Sequence, residues 1–141
     1  MFEDYRVLNG TFGAVWVDGE QWYEVTKAQA KLSYNKEGIR VCGDMYEGSK
    51  VTGVKGTGSM TIHKIYTRNA ARTDAITEGH DIRATVVLSL ADPDAFGAER
   101  VALYNVSFDE ETIMDFESGR TTSITIPFTF GKRVFLDKVT P

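Results

Sequence analysis

One cysteine, three prolines and two histidines are spread over 141 residues, and no long apolar run occurs. Each scarcity excludes something. Cys42 has no second cysteine to pair with, so no internal disulfide staples the fold, and the chain fits a reducing compartment. His63 and His80 show no metal-ligand spacing, and a tetrahedral zinc site would need Cys42 and a carboxylate brought in by folding. Apolar stretches such as Val86 to Leu88 are far too short to cross a bilayer. Met1 to Gly10 lacks the basic start and apolar run of a secretion signal, so no membrane anchor is expected. Positive charge is also in deficit: sixteen Lys and Arg against twenty Asp and Glu leave −4. That balance argues against a surface built to grip nucleic-acid phosphates.

Catalytic and binding motifs are missing too. Gly48 and Gly53 have the interval of a phosphate loop, but Val54 stands where the lysine must follow. Gly56 to Ser59, reading GTGS, lacks the third glycine of a dinucleotide turn. Asp92 and Asp94 flank a proline and make a turn, with no further oxygen ligands spaced for calcium. Asp109, Glu110 and Glu111 read as a solvated face or the acidic start of a helix. No nucleophile stands beside a base. The expectation is a chain without catalytic, cofactor or metal residues, not an enzyme.

What the sequence does carry is strand alternation. Val51 to Ile65 reads as the central strand, with Thr52, Val54, Gly56, Gly58, Met60 and Ile62 on one side. Lys55, Thr57, Ser59, Thr61 and His63 occupy the other. Gly56 and Gly58 fall on the buried side, where glycine marks a bend or a close approach of another backbone. Trp22 to Lys36 reads as a second strand, with Lys27, Gln29 and Lys31 on its polar side and Ala28, Ala30, Leu32 and Tyr34 opposite. Ala and Lys leave a helix open as the alternative over Val25 to Leu32. Gly10 to Val17 runs into Asp18-Gly19, a hairpin turn signal. Ile82 to Ala91, Glu99 to Phe108 and Thr122 to Phe130 add further strands, the last extended by Arg133 to Leu136. Pro127 places its strand at an edge or a bulge. Thr67 to Glu78 has helix composition, with Thr67 as cap and Gly79 as stop. Asp109 to Gly119 reads as a short helix or an ordered loop.

The sum is one mainly β domain over residues 1–141: an antiparallel barrel or sandwich of about six to seven strands with one flanking helix. Two segments do not suit an isolated globule. Residues 1–9 form an N-terminal arm carrying Phe2, Tyr5, Val7 and Leu8. Residues 37–50 read as a long loop carrying Ile39, Val41, Met45 and Tyr46, more apolar than a solvated loop should be. Both sets are expected to contact other subunits. The polar-side residues Lys27, Gln29, Lys31, Lys55, Thr57, Ser59 and Thr61 are candidates to face a water-filled bore.

Five stretches in order carry a resemblance: GTFGAVWVDG from Gly10, VTGVKGTGSMTIHK from Val51, LADPDAFGAER from Leu90, NVSFDEETIMDFESG from Asn105, and PFTF from Pro127 followed by FLD. With these the chain resembles the tail tube protein family of contractile phages and defective phage-like particles, the PBSX-like group. The resemblance implies a non-catalytic structural protein whose copies form rings, usually hexamers, stacked into the tube inside a contractile sheath. It implies a virion component assembled in the bacterial host cytoplasm. Its partners would be itself, the tail sheath, the baseplate or tube initiator and the tail terminator, with DNA passing transiently. Alternatives are the tube of a headless bacteriocin or injection device and, in another class, a monomeric ligand-binding β-barrel module. The bore's sign stays open, because the net charge is acidic while three lysines lie on polar strand faces.

Overall fold

A computed structural model describes residues 1–141. The strands are β1 Gly13–Val17, β2 Glu20–Gln21, β3 Val25–Ile39, β4 Gly48–His63, β5 Ala84–Leu90, β6 Glu99–Phe108, β7 Ser123–Phe130 and β8 Lys132–Asp137. One helix, α1, spans Ala70–Thr77 between β4 and β5. The mainly β, antiparallel reading holds, with eight strands rather than six or seven. Hydrogen bonding runs β2-β1-β5-β6-β7-β4-β3, and β8 also pairs with β6. No helix is long and apolar enough to cross a membrane.

The sheet turns over on itself along β6. Arg100 to Tyr104 pair with β8, whereas Ser107 and Phe108 pair with β7. Between them Asn105 takes a left-handed φ of 59° and the β5–β6 register slips opposite it. Asparagine tolerates that conformation better than other side-chain-bearing residues, and the bulge it makes bends the strand. Two layers result, β2-β1-β5 with β8 over β3-β4-β7, and the core fills the space between them. Ile124, Ile126, Phe128 and Phe130 of β7 are all buried, as are Met60 and Ile62 of β4 and Val15, Val17, Val86 and Leu103 from the other layer. Phe108 meets Phe128 edge-on at 6.4 Å between centroids, a favoured aromatic geometry.

Several expectations need correction. β4 is second from the sheet edge, between β7 and β3, and not central. β3 is a strand throughout, so the helix alternative fails: pairing with β4 from Val25 to Ile39 outweighs the helix preference of Ala and Lys. Residues 37–39 and 48–50 belong to these strands, which shortens the loop to 40–47. Residues Lys132–Asp137 form their own strand on β6 rather than an extension of β7. β7 is flanked on both sides, so Pro127 is not on an edge. Its carbonyl accepts from Asp109 N–H at 2.9 Å, which puts its missing donor on the side where β6 has just ended. The N-terminal part of the first predicted strand is a single 3-10 turn, Gly10–Phe12, and a second, Asp4–Arg6, lies in the arm. Asp109 to Gly119 forms a loop with no helix.

The helix begins after Asn69, not at Thr67, and no side chain caps it. Its end follows the expectation. Gly79 has φ +95°, its N–H donates to the Ile76 carbonyl, and His80 N–H reaches back to Ala75. That pair of bonds is the glycine-terminated helix stop. The Asp18-Gly19 turn also holds, with φ of 51° and 84°, both positive as a type I′ hairpin requires. Asp92 takes the backbone N–H of Asn9 at 2.8 Å and of Asp94 at 2.9 Å, fastening the arm's base to the β5–β6 turn.

Candidate assembly surfaces

Cross-strand register brings the polar candidates together. Lys27 lies opposite Thr61, Gln29 opposite Ser59 and Lys31 opposite Thr57, while Lys55 faces Ser33. On the other side of β4, Thr57, Ser59 and Thr61 meet Thr129, Pro127 and Thr125. Side chains alternate across a strand, so these residues share one face of three adjacent strands. Ser107 of β6, paired with Thr129, extends it to a fourth. Thr61 and Thr125 hydroxyls are 3.1 Å apart, and His63 bonds Ser123 at 3.1 Å. No carboxylate occurs at the paired polar positions of β3, β4 and β7 from Lys27 to Asn35, Lys55 to His63 and Ser123 to Thr129. β3 forms one long free edge beside this face, with a ladder only to β4.

Gly56 and Gly58 sit on the opposite, inner face, across from Phe130 and Phe128 of β7. Register runs unbroken through both glycines. The slips in the β3–β4 ladder lie at Val25/Lys27 and Asn35/Lys36 instead, so the glycines do not mark a bulge. They make room. A Cβ on Gly58 would stand 2.6 Å from Phe128 Cζ and also strike the Gln29 carbonyl, and one on Gly56 would stand 2.6 Å from Phe130 Cδ2.

Past Gly56 the β3–β4 hairpin leaves the core. β7 ends at Phe130, opposite Gly56, but β3 and β4 stay paired to Ile39 and Gly48. At about 3.3 Å per residue the hairpin projects roughly 25 Å beyond its own layer. Tyr34 and Val54 continue the core face into this projection and are exposed. At the tip Val41, Met45 and Tyr46 are 63%, 91% and 86% exposed, and Ile39 is exposed with them. In the arm Phe2, Tyr5 and Val7 are exposed, whereas Leu8 is half-buried. Arg6 lies 3.8 Å over the Phe96 ring, so the arm rests on its own subunit next to the Asp92 turn.

Fourteen apolar residues are buried while twenty-four large ones are exposed, those of the hairpin tip and the arm among them. The family profile of phage tail tube proteins matches residues 1–137. The chain belongs to the phage tail tube protein family. The phage-like element PBSX protein XkdM of Bacillus subtilis (strain 168) is 30% identical over 128 residues, 89% of this chain and 87% of that protein. Two solved structures share the fold of this tube-family chain. One is the sheath/tube terminator of the PVC extracellular contractile injection system in its extended state, with a TM-score of 0.72 at 12% identity over 96% of both chains. The other is the sheath–tube complex of the same system, with a TM-score of 0.68 at 11% identity over 99% of this chain and 93% of that one.

Two features of this tube-family subunit escape the sequence pattern. Tyr23, Ile65, Ile113, Met114 and Phe116 are exposed apolar residues, three of them hidden in a segment that reads as merely acidic. The second is a buried ion pair. Arg68, just before α1, donates from Nε and Nη2 to the Glu24 carboxylate, the latter at 3.1 Å, and from Nη1 to Glu20 at 3.0 Å. Its guanidinium lies between the Tyr66 and Trp22 rings, 4.6 and 4.9 Å from their centroids. The hydrogen bonds from Arg68 hold the Glu24 carboxyl below the usual carboxylate range, against the opposing effect of burial.

Proposed function

We propose that this chain is the structural subunit of the inner tube of a contractile phage tail, assembled as stacked rings of six through which DNA is delivered. The observation that carries the reading is the polar face of β3, β4, β7 and the end of β6, with a free β3 edge beside it. A water-wetted sheet face ending in an open edge is an aggregation hazard in a monomer, but a ring joins such edges between copies. Six copies of four strands make about 24 strands; spaced roughly 4.8 Å apart and tilted about 40°, they enclose a wall about 45–50 Å across. Side chains reduce this to a bore of about 35–40 Å, wide enough for duplex DNA. In that ring Lys27, Lys31 and Lys55 face the bore among Thr and Ser, giving a sparse positive lining despite the chain's net charge of −4. The opposite faces and ends are left for the sheath, the baseplate or tube initiator and the terminator. Assembly takes place in the host cytoplasm, and the product is part of the virion.

A headless injection device uses the same wall geometry, and the fold shared with a contractile injection system favours it as the second reading. A monomeric binding module has less behind it. The groove of about 530 Å³ between β1 and β3 is an open seam, and a ligand there would leave the hairpin tip and arm uncovered.

Electron microscopy of the purified chain tests the proposal. Rings or tubes are expected, and a monodisperse monomer at every concentration overturns it. Removing Met1 to Leu8 while keeping Asn9 on Asp92 is expected to leave the circular dichroism spectrum unchanged and abolish tubes. Tubes of normal length from that variant would remove the arm from the interface.

A further inference from the structure

Charge is spread unevenly over the subunit. Strands β3 and β4 hold Lys27, Lys31, Lys36, Lys50 and Lys55 against Glu37 alone, a surplus of four positive charges. The chain as a whole carries −4, so everything outside this strand pair bears −8. Lys27, Lys31 and Lys55 lie exposed on the polar face, and none of them forms an ion pair. At the end of that face, where β7 stops, Lys55 and Thr129 join Lys132 and Arg133 around a hollow of about 350 Å³ with no carboxylate in its lining. Lys132 and Arg133 are unpaired too, the Arg133 guanidinium lying 4.4 Å over the Phe135 ring. The carboxylates bonded to this face stand at its β6 margin, where Asp109 accepts from Thr129 at 3.4 Å and Asp81 from Ser107 at 2.9 Å. Asp81 is already paired with Arg83 at 3.2 Å.

We propose that this face, with the hollow at its end, is a binding surface for the phosphate backbone of double-stranded nucleic acid, so that the bore holds a duplex electrostatically instead of merely passing it. The inference rests on the tube reading and adds to it a retained ligand that the chain-wide deficit of positive charge conceals. Magnitudes favour retention. Lys55 lies opposite Ser33, so Lys27 to Lys55 span about 20 Å along β3 at about 3.3 Å per residue. At a strand tilt of about 40° that is about 15 Å of bore axis. Over this length six copies supply about 18 lysines, whereas a duplex carries roughly nine phosphates, one per about 1.7 Å. Fixed cations in excess of phosphates bind a polyanion by releasing its condensed counterions. The Debye length is about 10 Å at 0.1 M salt, so the lysines act across a water gap. Only phosphates are met, so no sequence preference results. The same segregation leaves the rest of the subunit acidic, which repels nucleic acid everywhere but the bore.

Co-sedimentation of purified tubes with a short labelled linear duplex tests this. The duplex is expected to pellet with the tubes at about 50 mM salt and to lose at least about tenfold in affinity by about 200 mM. Closed circular plasmid DNA has no end to thread and is expected to stay in the supernatant. Lys27→Gln, Lys31→Gln and Lys55→Gln combined are expected to assemble into tubes that retain at least about tenfold less duplex at low salt. Lys132→Gln with Arg133→Gln is expected to weaken retention in the same direction, less severely, and decides the matter if the triple variant does not assemble. Intact parent tubes that leave the linear duplex in solution at low salt overturn the binding surface while the tube reading stands. So does equal pelleting of the circular plasmid, which places the binding outside the bore, or triple-variant tubes that bind like the parent. Retention of polyglutamate but not of duplex assigns the face to an acidic protein and overturns the nucleic-acid assignment. Failure to form tubes under any condition overturns both the binding surface and the reading beneath it.

Discussion

Gly58→Val is expected to leave no folded subunit, with a loss of stability of at least about 3 kcal/mol, at the upper end for an overpacked core. Two different obstacles meet the new side chain. One is the Phe128 ring, 2.6 Å from the position of the Cβ, and the other is the main-chain carbonyl of Gln29. A ring can rotate at some cost. A carbonyl of β3 cannot retreat alone, because β3 is paired to β4 along the whole strand and must slide as a unit. Since Phe128 is 1% exposed and packs on Phe108, its displacement spreads into the centre of the core. Gly58→Ala meets the same Cβ obstacles and is expected to fail in the same direction, less severely. Gly10→Ala, with nothing within 4 Å of its Cβ, is the matched control and is expected to stay within about 0.5 kcal/mol of the parent. Urea melts of the three variants decide it. A Gly58→Val protein that melts within about 1 kcal/mol of the parent removes the close-packing explanation.

The same glycine shows what a one-dimensional pattern can and cannot reveal. Period-two alternation placed Gly58, Met60 and Ile62 on one face and Thr57, Ser59 and Thr61 on the other, because that assignment depends only on local geometry. It could not reveal that Phe128 lies across from Gly58, since the partner strand is some seventy residues away. Space for a ring therefore read as a bend or a close backbone approach, of which only the second holds, at Gly58 against the Gln29 carbonyl. Pro127 failed for a related reason: the missing donor is local, but the side it faces depends on where β6 stops. Gly38 and Gly48 fall in the segment 37–50 that reads as a loop, yet they pair with Ser49 and Ile39 near a hairpin tip. Asn105, which turns the sheet over, gave no local sign beyond being an asparagine in an apolar run. Among the residues proposed for assembly, the tip and arm were legible as apolar side chains in segments without a core period. Ile113, Met114 and Phe116 were masked by the acidic residues around them.

Arg68→Ala is expected to cost about 3–5 kcal/mol, because it strands a carboxylate rather than simply deleting a contact. The side chains of Arg68 and Glu24 are 10% and 4% exposed, and Glu24 has no other cation to turn to. Removing the guanidinium also opens the gap between Trp22 and Tyr66 and frees the segment leading into α1 from the β2–β3 connection. A purely structural loss and an electrostatic one separate by their pH dependence. In the parent, Glu24 is held below its ordinary value, so its contribution to stability is complete above the unfolded-state pKa and fades as pH falls through the folded-state value. In Arg68→Ala the chief cause of that depression is gone, and burial, the next largest influence, outweighs the remaining backbone hydrogen bond and pushes the carboxyl upward. Its contribution then reverses sign: protonation relieves the stranded charge, so the deficit relative to the parent narrows as the solution is acidified. Melts of parent and variant across the carboxylate range should therefore converge. Glu24→Gln with Arg68→Ala should recover part of the loss at neutral pH and flatten the difference. A deficit that is the same at neutral and acid pH would assign Arg68 to packing between the rings and take the ion pair out of the account.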